Sequence, residues 1–232
     1  MISDPLLSDD IATLLRSFPS DALEGVVGIC KRYTSWSPFP ADRAYDAHAL
    51  AIGADFTPHA EAIARELIWW GSHDFGRQVG MVPTWRDIVT DVAKQAGVEE
   101  EDRASCLPVW KIEQVTLRKV LAHWESMSPG QREKALREAG VDTSAARGGV
   151  TAAAGGLVRL GGDKLLTFLA ARGVGLATAA TVVAPLATVV GAAWTTHDLA
   201  GPSHRVLRPA VLTIAHTRQK LRDARAAGQF ED

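Results

Sequence analysis

Wherever apolar residues recur regularly along this chain, they do so at intervals of three and four, the period of a helix packed by one face. In "SDDIATLLRSF" (8–18), Ile11, Leu14, Leu15 and Phe18 make one stripe, Ser8 stands where a cap would, and Asp9 and Asp10 suit the positive start of a helix. Pro19 stops it. A second short helix follows, with Leu23, Val26, Val27 and Cys30 on its inner face, and then an irregular stretch from Tyr33 to Pro58 containing the loop "SWSPFP". The spacing predicts a helix over about 58–71, with Ile63, Leu67 and Trp70 inward and Gly71 as its cap. A cleaner helix carries Trp85, Ile88, Val89, Val92 and Ala96 on one face and ends at Gly97. A longer one over about 107–126 turns Ile112, Leu117, Val120, Leu121 and Trp124 inward, and "SPGQREKALREAG" starts another, with Ser128 capping and Gly140 past its end. No segment alternates long enough to predict a strand. The fold class expected is all-α: a multi-helix bundle with a Gly/Ala-rich hydrophobic helical hairpin in the C-terminal third.

The hairpin comes from a sharp change of pattern after residue 145. Gly148, Gly155 and Gly162 recur every seven residues, a stripe that lets two helices approach closely but weakens either one alone. "GVGLATAATVVAPLATVVGAAW" (173–194) then runs for 22 residues without a charge, about the length of a membrane span. Its seven strongly apolar residues contribute about −3 kcal/mol to insertion, and three threonines, three glycines and Pro185 oppose them. A single stable span is not favoured. Pro185 divides the run into two arms too short to cross a bilayer, which suits a hairpin buried in the fold first, a shallow or conditional insertion second and a constitutive span third. Val183, Pro185, Val189 and Trp194 are the candidate packing or membrane residues of that hairpin.

Charge sharpens this. The net charge of −2 gives no reason to expect a nucleic-acid partner, but the two ends differ in sign. Residues 1–30 hold five acids against Arg16, whereas residues 203–225 hold six Lys and Arg against Asp223. Arg205, Arg208, Arg218, Lys220 and Arg222 follow the apolar run directly and are candidate contacts for an anionic surface, with a solvated helix face as the plainer reading. Two cysteines without metal-like spacing suit buried thiols in a reducing compartment. The acidic start carries no secretory or transit pattern, so the expected location is cytoplasmic, with conditional membrane association. The chain divides into 1–32, a short helical element; 33–145, a helical core; and 146–232, the hairpin with a basic final helix.

Catalytic patterns are missing. "GSHDFG" contains a DFG without the Gly-rich loop, V-A-I-K or H-R-D of a kinase. "GGDK" lacks the spacing of a P-loop, and neither G-x-S-x-G nor H-E-x-x-H occurs. His73 and Asp74, with His59 and Glu66 near them in sequence, are the one constellation suited to a metal, although a turn between helices accounts for them more simply. A binding groove, if present, is expected around Trp69, His73, Asp74, Phe75 and Arg77. Trp69 and Trp70 are adjacent, so on a helix one faces the core and the other an interface. Trp36, Trp85, Trp110 and Trp124 have core spacing. No cofactor is expected.

Three blocks of the chain resemble a known family in order. "ELIWWGSHDFGRQVGMVPTWRDIVTDVAKQAGVE" (66–99) is similar to the E-L-x-x-F-G-G-x-S/T and Y-R-x-I-L-x-D-V block of the bacterial YaaW-like proteins. "IEQVTLRKVLAHWESMSPGQREKAL" (112–136) and "LAGPSHRVLRPAVLTIAHTRQK" (199–220) look like that family's later segments. The likeness extends over about residues 4–222, with Ser72-His73 replacing a small Gly-Gly step and Arg208 standing before Pro209 where a smaller residue is usual. The resemblance implies an all-α fold grouped with the ubiquinol–cytochrome c chaperone domain, whose mitochondrial members assist assembly of a membrane complex. It brings no catalytic residues. The function expected is contact without catalysis, as an assembly factor or membrane-perturbing protein with a protein partner, an anionic membrane surface or both. A fully soluble interaction module with the hairpin in its core is the alternative, and an enzyme or metal protein using the His73-Asp74 loop is third.

Overall fold

The computed structural model describes residues 4–33, 55–72, 82–131 and 202–228. Every regular element among them is helical. They comprise α1 (Ile11–Arg16), α2 (Ser20–Tyr33), α3 (Ala60–Gly71), α4 (Trp85–Gln95), α5 (Val109–Ser126) and α6 (Pro202–Ala226), with short 3-10 turns at Pro5–Leu7, Thr57–His59 and Glu101–Arg103. The all-α expectation holds for these residues, and the stripes predicted for α1 to α4 are buried as drawn. The Gly/Ala-rich region and the hairpin at 173–194 lie outside the described residues.

Local chemistry sets the helix ends. Asp10, rather than Ser8, caps α1: its carboxylate accepts from the Thr13 N–H at 2.8 Å, while the Ser8 hydroxyl accepts from the Asp10 N–H. At the start of α4, Thr84 and Asp87 form a reciprocal capping box. Ser128 and Gln131 exchange the same pair of bonds, so a helix does start where "SPGQ" predicts it. Gly97 ends α4 in the left-handed region, with φ 71°, as a glycine cap should. Gly71 is different. It is the last residue of α3 and has no positive φ; it is small because Ile88 of α4 packs on it, and a Cβ there would sit 2.5 Å from Ile88 Cδ1.

The middle of the fold belongs to α6. It packs against α2 and α5 and also touches α3 and α4. Every residue from Val206 to Arg218 is buried, so this helix is enclosed on all sides, as a central helix must be. The basic C-terminal helix is therefore core. Arg208 and Arg218, considered above for a solvated face or an anionic surface, are buried at 5% and 2% exposure because neighbouring helices surround them. Lys220 and Arg222 are half-buried, and the Arg205 side chain lies outside the described residues.

The register of α6 on α5 is antiparallel. Arg222 lies over the Trp110 ring, Arg218 meets Glu113, and the Gln219 side-chain carbonyl accepts from the Gln114 amide across the same seam while its own amide donates to Asp223. Each step forward in α5 is a step back in α6, which brings the Ser126 end of α5 beside the Pro202 end of α6. The C-terminal end of α5 and the N-terminal end of α6 thus lie at one pole of the helical body. The N-terminal segment closes the other pole, where Asp4 pairs with Arg225 and Asp9 caps α5.

Candidate functional site

The most concentrated chemistry lies where the N-terminal segment, α4, α5 and α6 converge. Glu113 falls on the apolar stripe of α5, a turn after Val109 and a turn before Leu117, so the helix carries its carboxylate into the core with 1% of the side chain exposed. Arg218 enters from α6, a turn after Ile214, at 2% exposure. Arg218 Nε lies 3.2 Å from Glu113 Oε2, and the Trp85 indole N–H donates to Glu113 Oε1 at 2.9 Å. Arg218 Nη2 reaches the Ser8 carbonyl at 3.3 Å. Burial pushes the Glu113 carboxyl up, with the Arg218 charge and the Trp85 N–H opposing. Burial likewise pushes Arg218 down, against the pull of Glu113 and Asp9.

Asp9 links this pair to the surface. One carboxylate oxygen accepts from the Val109 N–H at the start of α5, where the helix dipole favours an anion; the other pairs with Arg86 at 2.6 Å. Arg86 also donates to the Leu107 and Ser105 carbonyls, fastening the turn before α5 to α4. Shallow clefts flank it. One, of about 470 Å³, is lined by Asp9, Asp10, Ile11, Ile68, Thr84 and Trp85. The other, of about 350 Å³, is lined by Asp87, Thr90, Asp91, Lys94, Arg103 and Ser105. Among the described residues no histidine or cysteine lines either cleft, and Asp9, Asp10 and Asp87 are already bound to caps or to Arg86. The arrangement fastens elements together.

Of the groove expected around Trp69, the structure describes Trp69 alone; His73, Asp74, Phe75 and Arg77 lie outside the described residues. Trp70 is buried and Trp69 half-buried, with their rings edge-to-face at 4.8 Å between centroids. His59 ends a surface turn and Glu66 is buried in α3. Among the described residues no group of three or more His, Cys, Asp or Glu gathers as for a metal. Trp85 and Trp124 are core, whereas Trp110 is half-buried because the Arg222 guanidinium covers its face at 3.8 Å from the centroid. Cys30 is buried, but Cys106, expected buried, is exposed on the turn before α5. Glu113, Asp9 and Arg86 are absent from the sequence reading as site residues. A carboxylate on the buried stripe of α5 and an arginine on the stripe of α6 were the available signal, two opposite charges on two apolar faces.

Fold and site together define an all-helical body clasped by a buried ion pair. In sequence, the chain is 27% identical over 194 residues to a UPF0174 protein of Helicobacter pylori (strain J99 / ATCC 700824), covering 74% of this chain and 76% of that protein. No family model matches the chain, and no solved structure matches it.

Proposed function

We propose that this protein acts by contact rather than catalysis, with the helical body anchoring the apolar segment that joins α5 to α6 and offering it to a protein partner or an anionic membrane surface. The observation that carries this reading is the antiparallel α5–α6 pair. Its ends lie at one pole, so a segment containing 22 uncharged residues is attached at both ends to the helical body, through α5 on one side and the enclosed α6 on the other. Such an anchored excursion suits an assembly factor of the kind the YaaW-like resemblance implies, or a membrane-perturbing protein. The alternative, a soluble interaction module with the 173–194 hairpin packed on the body, draws on the same topology. Among the described residues no helix is long and apolar enough to cross a membrane.

Flotation with anionic liposomes separates the readings. The comparison is between the full chain and a variant in which residues 173–194 are replaced by a short Gly/Ser linker, each at low and high salt. Flotation that survives high salt and requires 173–194 is the expected result. Loss of flotation in salt for both proteins would assign binding to surface charge. A full chain that stays at the bottom would favour the soluble module and overturn the membrane arm of the proposal.

A further inference from the structure

His216 lies in the middle of the enclosed helix, at 8% exposure, and its Nε2 is buried without a hydrogen-bond partner among the described residues. Its surroundings can accept a neutral ring but not a charged one. From Pro202 to Arg222 the helix carries basic side chains and no carboxylate, Asp223 being the first. Lys220 lies one turn further along, and Arg208 and Arg218 are buried on the same helix. Of the elements packed on α6, α5 brings Glu113, already held by Arg218 and Trp85. From α3 comes the buried Glu66, which has interactions of its own, and from α2 the buried thiol of Cys30. Among its described residues α4 brings no buried charge, and Asp9 of the N-terminal segment is paired with Arg86. A proton on His216 would therefore add a cation to a core that, among the described residues, has no unengaged counter-charge beside it.

We infer that His216 is an acid-sensitive release for the helical body: its protonation drives α6 out of its enclosure and opens the α5–α6 pair to which the apolar segment is attached. The inference concerns the body alone and needs no particular role for residues 132–201. Burial, aided by Lys220, holds the ring down to about 4, whereas in an opened body it returns to its ordinary 6.5. Between those values the open form binds the extra proton, so each pH unit below about 6.5 shifts the balance towards it by up to tenfold, about twentyfold between pH 7 and pH 5. Glu113 works in the opposite sense, since a carboxyl raised by burial favours the closed form on acidification. A His216 variant isolates the histidine from it.

Cys30 supplies the readout, because it is buried on α2, a helix that packs against α6, and the exposed Cys106 can be removed. The full chain carrying Cys106→Ser is treated with 4,4′-dithiodipyridine from pH 7 to 4.5, with rates normalised to the urea-unfolded chain at each pH. Cys30 should be protected at pH 7 and, by pH 5, gain about twentyfold in reactivity relative to His216→Leu, which should keep it protected. His216→Gln, neutral at every pH and polar, should behave like His216→Leu and covers the case in which leucine does not pack. Cys30 that stays protected to pH 4.5, or a Gln variant that opens at the same pH as the parent, would overturn the inference.

Discussion

Glu113 and Arg218 meet in the core of the helical body, Oε2 to Nε at 3.2 Å, with 1% and 2% of their side chains exposed. Both were taken from water, so the pair stabilises the fold less than its geometry suggests, but breaking it leaves a lone charge at depth. Glu113→Gln strands the Arg218 guanidinium, which cannot shed its proton, and should cost about 3–5 kcal/mol. Arg218→Met strands a carboxyl whose affinity for a proton is already raised by burial, so it can neutralise itself and should cost less. The double change Glu113→Gln with Arg218→Met should recover most of the loss. Urea unfolding of the four proteins checks this; additive single effects would show that the two residues do not act as a pair.

Gly71 and Ile88 offer a second pair. A methyl at position 71 would lie 2.5 Å from Ile88 Cδ1 and 2.6 Å from Cγ1, and Ile88 is itself buried. Gly71→Ala should raise helix propensity in α3 yet destabilise the protein by about 1–3 kcal/mol through overpacking. Ile88→Val, which removes the terminal methyl, should offset part of that loss in the double variant. Thermal denaturation of the three variants decides it, and a Gly71→Ala protein more stable than the parent would mean that α3 and α4 separate freely.

These two pairs also mark how far the sequence was legible. Helix positions and inward stripes could be read because periodicity is local and survives without knowledge of the partner surface. Gly71 read as a left-handed cap because a terminal glycine usually is one, and the close approach of Ile88 is a tertiary fact. The basic final helix misled for the same reason. Its arginines carry the signature of a solvated face, and only the arrival of Glu113 and Gln95 from other helices makes Arg218 and Arg208 core residues. Asp9 read as a start-of-helix charge for α1, whereas its carboxylate belongs to α5, one hundred residues away. Of the candidate loop at Trp69, four of the five residues lie outside those described.

Asp10 gives a prediction with a pH sign. Its carboxylate is held below the usual range by hydrogen bonds from the Thr13 hydroxyl and N–H. A lowered carboxyl stabilises the fold above its ordinary value of 3.8, and the contribution disappears as pH falls through the folded value. Asp10→Ala should cost about 1 kcal/mol at pH 7, the usual loss of an N-cap. Asp10→Asn should cost less, since it still accepts from the Thr13 N–H. The cap is exposed, so the charge itself adds little and is screened by salt. Chemical denaturation at pH 7 and pH 3 checks both, and an Asp10→Ala penalty unchanged at pH 3 would place the effect in packing.

The position of α6 makes two deletions unequal. Removing residues 202–232 takes away Val206, Leu207, Ala210, Val211, Leu212, Ile214, Ala215 and Leu221 from the core and bares the faces of α2 and α5 that they cover. It also strands Glu113, whose remaining partner would be the Trp85 N–H. The truncated chain should lose cooperative unfolding and expose apolar surface to a dye such as ANS. Excising 173–194 and joining the ends with a short linker removes more uncharged residues than the core loses in the truncation. Yet it should leave the unfolding transition of the body in place, because the α5–α6 register puts the facing ends of those two helices at one pole. Circular dichroism melts of both proteins make the comparison. A cooperative melt for the truncation would show that α6 is an appendage. Collapse of the excision variant would show that residues 173–194 are part of the same core, which is the soluble alternative in its strongest form.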